Sequence, residues 1–323
     1  MEYRIEHIED DTADNGAEYI DYQIDKGSAL AVDAGTECAE HNGNRSADTD
    51  THEDRECHVK LNSACHRKRL QNTDRSACAL DHPTLALAQT KTVIDSMAEK
   101  ALKSVKYAVS LRQEYSKEKY RKVMDLEGVL DRYEDKLGQY LFTINTQDIN
   151  QEQANEVSKY LSVLSDFERM SDHARNIGEA VQEITDKKII LSEGAQKELK
   201  VLEKAVTDIS EMAIKAFIEN DNFVAFQIDP LEEVIDDLCD RIKNHHIERV
   251  SRKECSLETG FVFNDLLTDY ERISDHCSNI AVDVIESEQG LFGQHQYHQI
   301  LNEAQDEAFH TYFDDFKKEY SLD

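Results

Sequence analysis

Apolar residues recur at steps of three, four and seven along most of the chain after residue 80. This spacing is typical of amphipathic helices, and three such stripes, led by Leu87, Val123 and Val163, follow one another. The first stripe comes directly after Asp81-His82-Pro83-Thr84, where an acid and an early proline suit the start of a helix. Three long consecutive helices predict a bundle.

The same succession then begins again. A fourth stripe starts at Ala195 and is expected to end at the polar residues 220–222. A fifth starts at Ile228, where Pro230 either kinks the helix or lies at its start behind an Asp229 cap. A sixth contains Leu266 and the apolar residues that follow it. The fold class predicted from these stripes is all-α, with two tandem three-helix bundles.

Three boundaries follow from changes in this pattern. Residues 1–80 have no sustained period of 2 or 3.6, and they are predicted to be a disordered acidic tail. The predicted bundles occupy residues 81–187 and 188–289. The C-terminal tail, residues 290–323, is expected to contain a short helix near Leu301 to Tyr320.

The two predicted bundles are copies of one unit. The segment from Asp166 to Ile177 aligns with the segment from Asp269 to Ile280, 103 residues later, and eight of the twelve positions are identical. The second and fifth helices align at an offset of 105, which places residues 127–131 over residues 232–236. Such self-similarity indicates an internal repeat.

Each of these four segments carries an acid followed by an aspartate four residues later, so that both carboxylates share one face of a helix. An exposed pair of this kind costs about 0.2–0.5 kcal/mol, and a single pair could simply be a solvated surface. Recurrence at matching positions instead favours a site for a cation with oxygen ligands, such as Mg, Ca, Mn or iron. The pairs are Glu127 with Asp131, Glu168 with Asp172, Glu232 with Asp236, and Glu271 with Asp275.

Four neighbouring side chains have open roles at this stage. His173 and His276 either join the ligands or bond a neighbouring helix. Asn176 and Asn279 either orient the carboxylates or cap a helix contact.

The composition narrows the function classes. The chain has 37 Lys and Arg against 67 Asp and Glu, a net charge of −30, which argues against a nucleic-acid partner. No run approaches the roughly 18 apolar residues of a membrane span, so a cytoplasmic protein is expected. The seven cysteines form no CxxC pair and are interpreted as reduced thiols.

The stretch from Leu164 to Glu179, its copy from Leu267 to Val282, and the acidic pairs ahead of each resemble the E(D)xxxD motifs of PhoU, the phosphate-uptake regulator family. That resemblance implies tandem three-helix bundles, iron or zinc held by the acidic motifs, and a regulatory role rather than catalysis. Manganese and magnesium fit the same residues. By position, one cluster would use Glu127, Asp131, Glu168 and Asp172, and the other Glu232, Asp236, Glu271 and Asp275.

A narrower resemblance concerns the cytoplasmic PhoU-like C-terminal domain of bacterial sodium/phosphate cotransporters. It rests on residues 84–89, 246–250, 255–256 and 265–279. It implies a location at the inner face of the membrane and a transporter part in cis, or else a phosphate-signalling partner or a homodimer. Residues 1–80 contain nothing able to cross a membrane, so we expect either a truncated or frameshifted product or a free-standing regulator with an unrelated tail.

Two alternatives stay open from the residues. A carboxylate di-iron protein would need ExxH motifs in its bundle, and the only ExxH here joins Glu307 to His310 in the tail. Nucleotide and hydrolase motifs such as GxGxxG and GxSxG are absent, so the chain is not expected to be an enzyme. The other alternative is a helical interaction module without metal, whose acids only solubilise the surface.

Overall fold

A computed structural model of the chain describes residues 82–289 and 295–322. Every regular element within those residues is a helix, which confirms the predicted all-α class. The predicted disordered tail, residues 1–80, lies outside the described residues. The eight helices of the described residues are α1 Pro83–Gln113, α2 Lys117–Asn145, α3 Gln151–Lys187, α4 Glu193–Glu219, α5 Asn222–Ala225, α6 Ile228–Ser251, α7 Leu257–Gln289 and α8 His295–Glu319.

Local sequence explains several helix ends. Asn150 accepts a hydrogen bond from the backbone N–H of Gln153, and the Gln153 side chain accepts one from the backbone N–H of Asn150. This capping box starts α3, and the Ser192 side chain caps α4 in a simpler way. Asn220 ends α4 in the left-handed conformation, which asparagine tolerates, so the end predicted at residues 220–222 is confirmed.

The start of α6 decides between the two alternatives for Pro230. The helix begins at Ile228, so Pro230 lies in its first turn, where a missing N–H breaks no helical hydrogen bond. Asp229 lies inside the helix and does not cap it, because Gln227 holds the capping position without a side-chain bond.

The first repeat, defined as α1 to α3, closes around buried apolar side chains. Gly178 of α3 lies beside Met124 of α2 and Leu111 of α1, so the three helices meet at this point. The Ser171 hydroxyl of α3 donates to Ser104 of α1 across 3.3 Å. Each fully buried aliphatic or aromatic side chain contributes about 1.5–3 kcal/mol, and this core includes Ile94, Met97, Leu130, Tyr133, Leu141 and Phe167.

The second repeat, defined as α4 to α7, has the same order of long helices with the short α5 added. Helix α7 packs against both α4 and α6, and α4 packs against α6. Cys239 and Cys277 are buried in this repeat as free thiols. Its core includes Leu199, Leu202, Val206, Leu231, Ile235, Leu266, Tyr270 and Ile273.

Helices α3 and α7, the third helices of the two repeats, pack along each other and form a seam. Helix α4 adds further contacts between the repeats. The rings of Phe167 in α3 and Phe217 in α4 meet edge to face, with centroids 5.3 Å apart. Arg112 of α1 forms an ion pair with Glu203 of α4, whose side chain is 1% exposed. The Tyr270 hydroxyl donates to the same carboxylate across 3.0 Å.

The C-terminal helix is longer than the sequence pattern indicated. A short helix near Leu301 to Tyr320 was expected, whereas α8 has 25 residues, from His295 to Glu319. It packs against α6 of the second repeat. Tyr320, directly after the helix, is only 3% exposed. The tail thus belongs to the packed structure of the second repeat.

The described chain separates into two compact units. One unit comprises residues 82–90 and 143–149, and the other comprises residues 91–142 and the described residues from 150 onward. The contacts discussed below all lie within the second unit. In the described part of the chain, no helix has both the length and the apolar character that a membrane crossing requires.

Candidate metal centre and its counterpart in the first repeat

Three predicted site residues converge in the second repeat. Helix α6 carries Glu232 and Asp236 one turn apart, and α7 brings Asp275 alongside them. One carboxylate oxygen from each of the three lies within 4.8 Å of the others. We call Glu232, Asp236 and Asp275 the second-repeat cluster. Among the described residues it is the group of His, Cys, Asp and Glu side chains that comes close enough to share one ion.

Two members of the second-repeat cluster, Glu232 and Asp236, bind protons more tightly than isolated acids do. Burial, together with the negative charges of Asp236, Asp229 and Asp275, raises the pKa of Glu232 to about 7. Burial also raises the pKa of Asp236 to about 6, with Glu271 and Asp275 as the next causes. Carboxylates that repel one another in this way favour a proton or a cation between them.

Two basic side chains contact this region from its edge. Lys243 of α6 donates to Glu271 across 2.6 Å, so the fourth predicted ligand already has a partner. The exposed Arg272 donates to Asp275 across 2.8 Å. Glu271 therefore lies beside the second-repeat cluster and contributes to its negative potential rather than to the group of three.

The corresponding acids of the first repeat are arranged differently. The Arg175 guanidinium of α3 lies 2.7 Å from Glu127 of α2 and 3.0 Å from Asp172 of its own helix. The first-repeat cluster, defined as Glu127, Asp131, Glu168 and Asp172, thus contains an internal cation. No group of three ligands close enough to share an ion occurs in this repeat among the described residues.

Glu168 of the first-repeat cluster binds a proton more tightly than an isolated glutamate does. Burial raises its pKa, and the charges of Glu134 and Asp172 add to that effect. Glu134 was not predicted as part of the site, because the acid-plus-four pattern does not include it. Arg175 was not predicted either, although the repeat alignment contained a signal for it.

That signal is one of the four positions at which the two copies of the motif differ. Arg175 aligns with Ser278, which has no charge. The Ser278 hydroxyl donates to Asp229 across 3.0 Å and leaves the second-repeat cluster without a corresponding cation. One substitution between the copies therefore distinguishes a cluster bridged by an internal guanidinium from one whose only arginine contact among the described residues, Arg272 to Asp275, comes from the exposed edge.

The histidines and asparagines of the motif point across the seam. His173 of the first repeat lies 2.9 Å from Asp269 of the second, and His276 of the second lies 2.9 Å from Asp166 of the first. Their rings stack with centroids 5.7 Å apart. The same two aspartates accept hydrogen bonds from the motif's asparagines: Asn176 to Asp269 at 3.3 Å and Asn279 to Asp166 at 3.2 Å.

These reciprocal bonds favour one of the two alternatives that the sequence left open. The histidines bond the opposite repeat, and the asparagines support a helix contact. Asp166 and Asp269, the acceptors, were not singled out in advance although they open the two aligned segments. The motif thus presents acids to its own repeat on one face and an Asp–His–Asn set to the other repeat on another.

Two tandem three-helix bundles with acidic pairs on facing helices define the structural class of this protein. The family model described as "PhoU domain" matches residues 94–181 and again residues 199–284. Because these matches cover more than half of its length, the chain belongs to the PhoU family. The two matches also confirm the internal repeat.

Known relatives and structures agree with this assignment. The chain is 28% identical over 207 residues to "Phosphate-specific transport system accessory protein PhoU homolog 1" of Thermotoga maritima, covering 64% of this chain and 78% of that protein. The crystal structure of PhoU from Pseudomonas aeruginosa matches with a TM-score of 0.61 at 16% identity, covering 64% of this chain and 99% of the other. The phosphate transport system regulatory protein PhoU from Streptococcus pneumoniae matches with a TM-score of 0.58 at 18% identity, covering 66% and 100%. These two structures support the fold.

Proposed function

We propose that this protein regulates phosphate transport and that its second repeat binds a metal ion through Glu232, Asp236 and Asp275. Membership of the PhoU family supports the regulatory role, as do the relatives named for phosphate transport. The convergence of three carboxylates without an internal cation between them supports the metal site. This convergence is the observation on which the metal proposal depends.

The donor set favours some metals over others. Carboxylate oxygens suit iron, manganese, magnesium and calcium, whereas structural zinc sites mostly use cysteine and histidine. His276, which follows Asp275 in the chain, bonds Asp166 of the other repeat instead. We therefore favour iron, one of the two metals that the family resemblance implied, or manganese over zinc for this site.

The residues of the cluster would link two helices when a metal binds. Glu232 and Asp236 belong to α6, and Asp275 belongs to α7, so a shared ion would fix the spacing of these helices. Asp275 directly precedes His276, which contacts the first repeat. Metal binding would in this way stabilise the seam as well as the second repeat.

A partner in phosphate transport is part of the same proposal. We infer that the protein acts at the inner face of a membrane, on a phosphate transporter such as a sodium/phosphate cotransporter or on a phosphate-signalling protein. The narrower sequence resemblance to the cytoplasmic domain of such cotransporters supports this choice. Deleting the gene in its native host should raise phosphate uptake under phosphate-rich conditions, and unchanged uptake and unchanged phosphate-responsive transcription would contradict the regulatory role.

The metal site is tested by elemental mass spectrometry on the full chain, purified without chelator or metal affinity. The wild type should carry about one iron or manganese atom per chain, and the variant Asp236→Asn/Asp275→Asn should lose it. The matched control is Asp131→Asn/Asp172→Asn at the corresponding positions of the first repeat, which should retain the metal. Metal-free wild type after incubation with Fe²⁺ or Mn²⁺ would leave a helical interaction module, the alternative function.

A further inference from the structure

The C-terminal helix covers a face of the second repeat through three polar anchors. Lys317 lies 3.0 Å from Asp237 of α6. Glu319 lies 2.6 Å from Lys204 of α4. The buried Tyr320 donates to Asp208 of α4 across 2.7 Å, and its ring lies under the Lys204 ammonium at 4.5 Å. These contacts show which charged side chains of α4 and α6 hold a helix on this face of the second repeat.

The internal repeat assigns a corresponding face to α1 and α2 of the first repeat. We compare the two faces at the offset of 105 residues that aligns α2 with α6. The same offset aligns buried positions of α1 with buried positions of α4. Examples are Ile94 with Leu199 and Met97 with Leu202, and all four of these side chains are fully buried. In this register, Lys204, Asp208 and Asp237 correspond to Glu99, Lys103 and Arg132.

The sign of the charge is reversed at all three anchor positions. Glu99 takes the place of the basic Lys204, and Lys103 and Arg132 take the places of the acidic Asp208 and Asp237. All three of these side chains are exposed. The neighbouring apolar surface differs as well, since Val234 is 2% exposed whereas its counterpart Val129 is half-buried. The first-repeat face therefore has charged side chains at the positions that bind a helix in the second repeat, but each charge has the opposite sign.

We propose that Glu99, Lys103 and Arg132 form a docking face for an amphipathic helix of another protein. The partner helix carries an acid opposite Arg132, an acid or other hydrogen-bond acceptor opposite Lys103, and a base opposite Glu99. This inference goes beyond the proposed function, because it identifies a partner surface that does not depend on the metal site.

The same charges argue against a second copy of this chain as the occupant. Docked in the same way, α8 of another molecule would place Lys317 against Arg132 and Glu319 against Glu99. Like charges in contact across an interface suppress a wrong partner, and charge pairs at an interface rim govern specificity more than total affinity. The reversal thus selects for a helix with the opposite pattern.

The test uses two peptides spanning residues 303–323. One has the wild-type sequence, and the other carries Lys317→Glu and Glu319→Lys, which keeps its composition and net charge the same. Each is titrated to millimolar concentration into isotope-labelled full chain, and backbone NMR signals are followed. The charge-reversed peptide should shift signals of α1 and α2 and bind there at least tenfold more tightly than the wild-type peptide.

The control exchanges the face. The variant Glu99→Lys/Lys103→Asp/Arg132→Asp carries the charges of the second repeat and should reverse the preference between the two peptides. Its metal content should not change, so failure here is separate from failure of the metal site. Equal binding of both peptides, or no shift on α1 and α2 with either, would overturn the proposal. Preferential binding of the wild-type peptide would assign the face to a second copy of this chain.

Discussion

The two acidic clusters have the same acids at matching positions but differ in the cation that lies beside them. In the first repeat, Arg175 bridges Glu127 and Asp172, so the cluster is compensated from within. In the second repeat, Ser278 replaces that arginine, and the pKa values of Glu232 and Asp236 rise to about 7 and about 6. Two motifs with the same acids therefore differ in the counter-charge beside them. We predict that the side chain supplying this counter-charge decides the affinity of each cluster for a cation.

The buried ion pair that joins α1 of the first repeat to α4 of the second gives the largest expected effect. Glu203→Ala removes the carboxylate that pairs with Arg112 and accepts from Tyr270. Because the arginine would stay buried without a partner, we expect a loss of about 3–5 kcal/mol in the free energy of unfolding, measured with urea.

An exposed ion pair between the same two helices provides the control. Glu211→Ala removes the partner of Lys106, and both side chains are about half exposed. Exposed pairs contribute at most about 1 kcal/mol, so this variant should remain close to the wild type. Equal losses in the two variants would contradict the importance of the buried pair.

Exchanging the deciding residues should transfer the difference between the clusters. Ser278→Arg places a guanidinium at the second-repeat cluster, as Arg175 does in the first repeat. A like charge against a bound cation costs several kcal/mol, so the affinity for Mn²⁺ should fall by about 100-fold or more in calorimetric titration.

The reverse substitution is the complementary measurement. Arg175→Ser removes the internal cation from Glu127 and Asp172, and should allow the first-repeat cluster to bind Mn²⁺. We expect a weaker site than in the second repeat, since the first-repeat acids converge less closely. Unchanged Mn²⁺ binding in both variants would show that the guanidinium does not control either cluster.

The raised pKa values predict a pH dependence in metal-free protein. Glu232 and Asp236 bind protons more tightly when folded than when unfolded, where carboxyl pKa values lie near 4. Their contribution to stability is therefore fully present at low pH and is lost as the pH rises toward 7. Removing both charges with Glu232→Gln/Asp236→Asn should abolish this loss, which amounts to a few degrees in Tm.

That pH effect is read as a difference between proteins. Thermal unfolding of wild type and variant is measured at pH 5 and pH 7.5 in the presence of chelator. Subtracting the change in Tm of the variant from that of the wild type removes the contribution of the other titrating groups. A variant with the same change in Tm as the wild type would contradict the pKa shifts.

The smallest expected effect concerns the hydrogen bonds that the two repeats make in the same way. Asn176 and Asn279 donate to Asp269 and Asp166 in equivalent bonds across the seam. Replacing either by alanine should cost about 0.5–1.5 kcal/mol, and the two costs should agree. Urea unfolding of the two single variants measures this, and a difference of more than about 1 kcal/mol would show that the seam is not symmetric in energy.

The sequence was a good guide wherever local periodicity carries the information. Stripes at steps of three and four predicted the helices, and the Asn220 end followed from turn chemistry. The two matches to the family model confirmed the repeat that eight identical positions had indicated. These features depend on residues close in the chain, whose relative positions are fixed by helix geometry.

The candidate site was predictable only in part for the same reason. Glu232 and Asp236 share a helix face by spacing, but their approach to Asp275 depends on how α6 packs against α7. The pairing of Lys243 with Glu271 likewise joins two helices. Spacing identified the acids as a set of eight, and packing divided them into an open cluster, a compensated cluster and an ion-paired edge.

The sequence by itself determined the helices, their order and the repeat, because hydrophobic burial imposes a period that can be read along the chain. Only the tertiary structure decided that Arg175 reaches across to Glu127, that each motif's histidine bonds the opposite repeat, and that α8 covers the second repeat. Each of these contacts joins residues far apart in the chain. Their formation depends on the packing of whole helices, which no local pattern specifies.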